Sequence, residues 1–255
     1  MKTRSAFVRG RRRLLALVGA TAALTLSGLP SAQRKANAAE GKMKIGIVGS
    51  GKVGGAIGGS WVRAGHEVMF SSRHIEHDEE LASRLGMNAY AGTPREAVEF
   101  GEVAMISVPY HALPDVRDEL GDLIKGKVLI DTCNPFVWRD GDLAKWAREK
   151  GAGLASLELL PGARIVRAFN AIGYVNMGKA YEQPGRIGMP IASDDAGAVA
   201  IVEPLIRDVG YEPVLVGGME MGQYLMPGTP LAGEHTPKEV REIAARLRRH
   251  LKNNK

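Results

Sequence analysis

The chain has 255 residues, 45% hydrophobic and 24% charged, with 34 Lys and Arg against 28 Asp and Glu for a net charge of +6. This composition excludes a disordered polymer and a multispan membrane protein, and the length leaves room for one or two domains with an ample core. The single cysteine, Cys133, excludes an intrachain disulfide and any cysteine-rich metal centre.

The first 38 residues hold eight of the basic residues and no acidic one. Arg11-Arg12-Arg13 precedes an apolar run from Leu14 to Leu26, and Ala36-Asn37-Ala38 supplies the small residues that a signal peptidase reads. These parts in this order describe an export signal of twin-arginine type over residues 1–38, which implies a periplasmic or exported protein. The apolar run is too short and too weakly hydrophobic for a membrane span, so none is expected once the leader is removed. Translation starting at Met43 is the alternative, and it would make the protein cytoplasmic. Beyond residue 38 the net charge is about −2, and the case for a nucleic-acid partner disappears.

From Met43 onward, short apolar runs alternate with amphipathic stretches. That is the pattern of an α/β, doubly wound, mainly parallel sheet with helices on both faces. Strands are expected at 43–48, 67–70, 88–90, 103–108, 128–131, 164–168, 186–192 and 211–216. Helices are expected at 53–64, 78–85, 113–123, 143–150 and 194–209. Thr93-Pro94-Arg95-Glu96 and Thr236-Pro237-Lys238-Glu239 are capping boxes, and the second opens a basic helix running to about residue 251. The expected organisation is a nucleotide-binding domain over residues 39–216 and a C-terminal extension with its helix over 217–255.

Between the first strand and the first helix lies Gly49-Ser50-Gly51-Lys52-Val53-Gly54, a G-x-G-x-x-G turn. Gly49 permits the tight turn, Gly51 lets a pyrophosphate approach the backbone, and Gly54 lets the helix pack on the sheet. An NAD site would place Asp or Glu at the end of the second strand, whereas this chain has Ser71-Ser72-Arg73-His74. A hydroxyl and a guanidinium suit the 2′-phosphate of NADP, and His77 can add a donor. Glu76 remains an acceptor for NAD.

Further candidates follow later strands, where such sheets bind ligands. Val108 and Pro109 would lie along the nicotinamide, and Asn134 and Asn170 would hydrogen-bond a carboxamide or substrate. His111 is either an acid/base group or a helix-start residue. Cys133 belongs to the core. Pure hydride transfer needs no protein proton donor, so no catalytic residue is assigned, and no metal is expected.

Residues 43 to about 226 resemble the NADPH-dependent F420 reductase family. The resemblance rests on the glycine turn, on Gly65-His66-Glu67-Val68, Ser72-Arg73 and Val108-Pro109, and above all on Asp131-Thr132-Cys133-Asn134-Pro135 and Leu160-Pro161-Gly162-Ala163-Arg164-Ile165-Val166-Arg167-Ala168-Phe169-Asn170. The N-terminal part is also similar to the NADP-binding domain of pyrroline-5-carboxylate reductase. The resemblance implies NADPH over the glycine loop, with Ser50, Gly51, Lys52 and Val53 around its pyrophosphate and Ser72 and Arg73 on its 2′-phosphate. It implies hydride exchange with a small-molecule redox partner, coenzyme F420 or a flavin. The alternatives are an imine or carbonyl reductase and a non-catalytic NADP-binding module. A homodimer is compatible with the sequence.

Overall fold

The computed structural model describes residues 41–253, so the leader expected at 1–38 lies outside the described residues. The first half runs β1 (Lys44–Val48), α1 (Lys52–Ala64), β2 (Glu67–Ser71), α2 (Ile75–Leu85), β3 (Ala89–Ala91), α3 (Pro94–Phe100), β4 (Val103–Ile106) and α4 (Leu113–Leu120). After it come β5 (Val128–Asp131), α5 (Val137–Lys150), α6 (Ala152–Leu159), β6 (Arg164–Arg167) and the single turn α7 (Tyr174–Met177). The chain closes with β7 (Gly188–Ala192), α8 (Ala196–Asp208), β8 (Glu212–Gly217) and α9 (Pro237–Asn253).

The strands form one sheet in the order β3-β2-β1-β4-β5-β6-β7-β8. Neighbours are parallel except β6 and β7, which meet antiparallel at Arg167 and Ala192. The mainly parallel Rossmann-type sheet expected from the sequence is therefore present. Strand order reverses between β1 and β4, which opens a crevice beyond their carboxyl ends.

The central strands are apolar on both sides because helices cover both faces. One core cluster contains Ile45, Ile47, Trp61 and Phe70, and the other contains Ile106, Leu113 and Leu129. α1 stops at Gly65, whose φ of +96° allows the left-handed cap that returns N–H groups to Trp61 and Val62. His66 of the Gly65-His66-Glu67-Val68 motif is fully buried. Its Nδ1 accepts from the Met43 N–H at 3.1 Å, while Nε2 lies 2.9 Å from Asp208. Beyond β8, Leu225, Val240 and Ala244 pack with Val214 and Val216, so α9 seals the β7–β8 end of the sheet.

Arg167 and Asp131, adjacent in register on β6 and β5, form an ion pair with both side chains fully buried. Ser156 of α6 donates to the same carboxylate at 2.6 Å. Asp131 also accepts from the Cys133 N–H at 2.8 Å, and Arg167 donates to the Cys133 carbonyl at 3.1 Å.

Several elements differ from the sequence pattern. β4 ends at Ile106 rather than 108, which frees Ser107, Val108 and Pro109 to form a loop. α4 ends at Leu120 because Gly121 takes a φ of +54°, and a 3-10 turn continues to Ile124. α5 begins at Val137, six residues before the expected start, and Gly141 interrupts it with non-helical torsions. α6 was not anticipated. Its buried residues, Ala152, Gly153, Ala155, Ser156 and Leu159, lie on one side, but the exposed positions include Leu154 and Leu157, so the sequence shows little amphipathic contrast.

Replacing Arg167 by Met leaves the Asp131 charge buried and uncompensated. Urea unfolding of Arg167→Met is expected to lose about 3–5 kcal/mol, and an unchanged midpoint would show the pair to be idle.

Candidate active site

The glycine turn sits at the switch point. Gly49 has a φ of +101°, and the N–H groups of Gly49 and Ser50 both bond the Ser71 carbonyl, at 2.8 and 3.1 Å. A Cβ on Gly49 would lie 2.3 Å from the Ser107 oxygen, and one on Gly54 would lie 2.0 Å from the Gly49 oxygen. Gly51, by contrast, has nothing within 4 Å of the corresponding point. It also begins α1 without a side-chain cap, so the first-turn N–H groups of the helix face open space. An uncapped, unobstructed helix N-terminus is an anion site in the making.

The crevice has two lobes that share Gly51, Ser107, Val108 and Pro109. The larger, about 390 Å³, runs past Ser50, Ser72, Arg73 and His74 to His111 and Val116. The smaller, about 280 Å³, is bordered by Lys52, Val53, Thr132, Asn134, Phe136 and Arg139. Gly49, Ser50, Gly51, Lys52, Val53, Ser72, Arg73, Val108 and Pro109 thus share one crevice. His77 is exposed one turn along α2 and is not among the lining residues, whereas His74 is. Asn170 lies behind the wall, 2% exposed. Its carbonyl accepts from Asn134 Nδ2 at 2.8 Å, so it positions Asn134. The Oδ1 atoms of both asparagines are buried without a partner among the described residues.

The two serines behave differently from the sequence expectation of phosphate donors. Ser50 and Ser72 both donate their hydroxyls to Asp78, Ser72 at 2.8 Å. Asp78 is fully buried and has no ion-pair partner among the described residues. With both hydroxyl protons turned inward, the cation at this end is Arg73, which is exposed and has no side-chain partner among the described residues.

A second buried carboxylate joins the lobes. Asp140 accepts from Arg139 Nε and Nη2, both at 2.8 Å, from the Phe136 N–H at 2.9 Å and from His111 Nδ1 at 2.9 Å. Burial alone would raise its pKa, but the bonds from Arg139, His111 and Phe136 outweigh burial and hold it at about 2. His111, in the 3-10 turn Tyr110–Ala112, is half exposed to the larger lobe with Nδ1 fixed on this carboxylate. Arg139 and Asp140 escaped sequence reasoning because the helix was expected to start six residues later. An acidic residue soon after Asn134-Pro135 was the available signal. Cys133 is buried and its thiol is pushed well up by burial, so it is core, as expected. Among the described residues no group of three or more His, Cys, Asp or Glu is placed to hold a metal, and no helix is long and apolar enough to cross a membrane.

Because the folded state holds the Asp140 pKa below its unfolded value, its stabilisation is complete above about pH 4 and is lost as pH falls towards 2. Denaturation midpoints of the wild type and Asp140→Asn should therefore converge over that interval and stay apart at pH 5–7.

Residues 44–135 match the model of the family described as NADP oxidoreductase, coenzyme F420-dependent. An F420-dependent NADP reductase of Methanothermobacter marburgensis is 29% identical over 203 residues, covering 74% of this chain and 90% of the relative. Among solved structures, a candidate F420-dependent NADP-reductase from Arthrobacter sp. FB24 superposes with a TM-score of 0.62 at 18% identity, over 75% of this chain and 97% of that one. A pyrroline-5-carboxylate reductase from Coxiella burnetii gives a TM-score of 0.50 at 17% identity, over 68% of this chain and 59% of that one. The resemblance read from the sequence stands, and the chain is an NAD(P)-dependent oxidoreductase.

Proposed function

We propose that the protein binds NADPH along the crevice and exchanges a hydride with a flat second redox molecule, coenzyme F420 or a flavin. The observation that carries NADP over NAD is the end of β2. Arg73 stands there exposed, with no side-chain partner among the described residues, and the buried Asp78 is masked by two serine hydroxyls. A guanidinium forms two charge-assisted bonds with a phosphate, and a masked carboxylate offers little to a ribose hydroxyl.

The residues present fit the nucleotide. Gly51 and the uncapped start of α1 receive the pyrophosphate, Arg73 and His74 border the 2′-phosphate, and Val108 and Pro109 form the wall for the nicotinamide. Bound NADPH supplies the hydride; the protein supplies proximity, orientation and exclusion of water. The family match and the M. marburgensis relative support F420 as the partner.

We also propose that the protein leaves the cytoplasm folded, with its nucleotide already bound. The arginine triplet, apolar run and Ala36-Asn37-Ala38 support this reading.

Arg73→Ala is expected to weaken NADP binding by about 1.5–3 kcal/mol, roughly ten- to a hundredfold, and to leave NAD binding unchanged. Failure to bind NADP, or an unaltered NADP/NAD preference, rejects the nucleotide assignment. NADPH oxidation assayed against F420, FMN and pyrroline-5-carboxylate should proceed with the first or second and not with the third. For export, mass spectrometry of the periplasmic fraction should find a chain beginning near Ala39 with nucleotide bound. A cytoplasmic chain beginning at Met43 would count against it.

A further inference from the structure

Arg139 is held as few surface arginines are. Its Nε and Nη2 grip Asp140, Nη2 also reaches the Asn134 carbonyl at 2.9 Å, and its guanidinium lies 5.1 Å from the centre of the Phe136 ring. Nη1 has no hydrogen-bond partner among the described residues, and the side chain is 29% exposed at the smaller lobe. The charged residues lining that lobe are Lys52 and Arg139, both cations; the carboxylate that pairs with Arg139, Asp140, lies behind the lining. Asn134, on the same border, keeps a buried Oδ1 without a partner.

A dinucleotide reaching from Arg73 across Gly51 to Val108 has its phosphates at the far end and the middle of the crevice. The Arg139 end then faces whatever meets the nicotinamide. We propose that Arg139 is the recognition residue for an acidic group, phosphate or carboxylate, carried by the hydride partner, and that Asp140 is the positioning residue that fixes its guanidinium. The substrate class is thus an anionic planar redox molecule rather than a neutral one. This rests on the oxidoreductase reading above and adds the charge of its substrate.

Arg139 and Lys52 approach such a ligand from opposite walls, α5 and α1. Lys52 is partly engaged, donating to the Tyr174 hydroxyl at 3.2 Å, which leaves Arg139 as the fixed donor. Asp140 offsets much of the Arg139 charge, so the selectivity comes from aimed N–H groups more than from net charge.

FMN and riboflavin differ by one phosphate and provide the test. Each is titrated by flavin fluorescence onto the full-length protein saturated with NADP+. FMN is expected to bind at least about tenfold more tightly than riboflavin. Arg139→Ala should bring that ratio close to one by weakening FMN alone, while NADP+ affinity stays within about twofold of the wild type. Arg139→Gln, which keeps the size of the side chain, should do the same and serves if the alanine variant misfolds. FMN that binds no better than riboflavin, or not at all, overturns the proposal. So does a drop in NADP+ affinity, which would hand Arg139 to the nucleotide. If NADP+ itself does not bind, the nucleotide reading fails, and the same flavin pair titrated onto nucleotide-free protein still decides the role of Arg139.

Discussion

The ends of β5 and β6 are tied by a guanidinium and a carboxylate that have both left water completely. Such a pair adds little net stability, because desolvation cancels most of the attraction, but losing one partner strands a charge in the core. Its work is therefore geometric. Asp131 takes the Cys133 N–H and Arg167 takes the Cys133 carbonyl, so one residue of the loop is gripped on both sides. Thr132 and Asn134, which flank that residue, border the smaller lobe. The position of that wall follows from a bond that faces no ligand at all.

The same device recurs twice around the crevice. Asp78 takes the hydroxyls of Ser50 and Ser72, and Asp140 takes Arg139, His111 and a backbone N–H. Each carboxylate lies behind the cleft surface and decides which way donors on that surface point. At Asp78 the protons are drawn inward, so the surface there is poor in donors. At Asp140 a guanidinium is braced outward. Buried polar groups of this kind trade stability for a single arrangement, which is what an oriented hydride transfer needs. Phe169, the one non-glycine residue with positive φ among those described, sits just beyond β6 at +64° and shows that this edge also tolerates backbone strain.

Much of the fold was legible because its signals are local. Apolar runs, the glycine turn and the capping boxes at Thr93 and Thr236 each depend on residues within a few positions of one another. What was hidden depended on distant partners. α6 keeps leucines, Leu154 and Leu157, on its exposed side and so shows no clear period, and Gly153 is a glycine because a Cβ there would meet the Met219 oxygen at 2.1 Å. The serines looked like phosphate donors until Asp78, six residues beyond Ser72, was found underneath them. Arg139 and Asp140 carried no motif, and their role appears only when α5 brings them against the loop after β4.

In the function proposed, the two arginines at the ends of the crevice are different physical solutions to binding an anion. Arg73 has no side-chain partner among the described residues, so it would give up rotamer freedom on meeting a phosphate, but it could follow that phosphate as the nucleotide settles. Arg139 has already lost that freedom to Asp140, Asn134 and Phe136, so little ordering remains when a ligand arrives. A mobile anchor suits the end of a long flexible dinucleotide, far from the reacting carbon. A fixed one suits the end where a planar partner must lie against the nicotinamide within a few tenths of an ångström of one geometry. The distribution of buried carboxylates, one masking serines beside Arg73 and one bracing Arg139, accounts for that difference in stiffness.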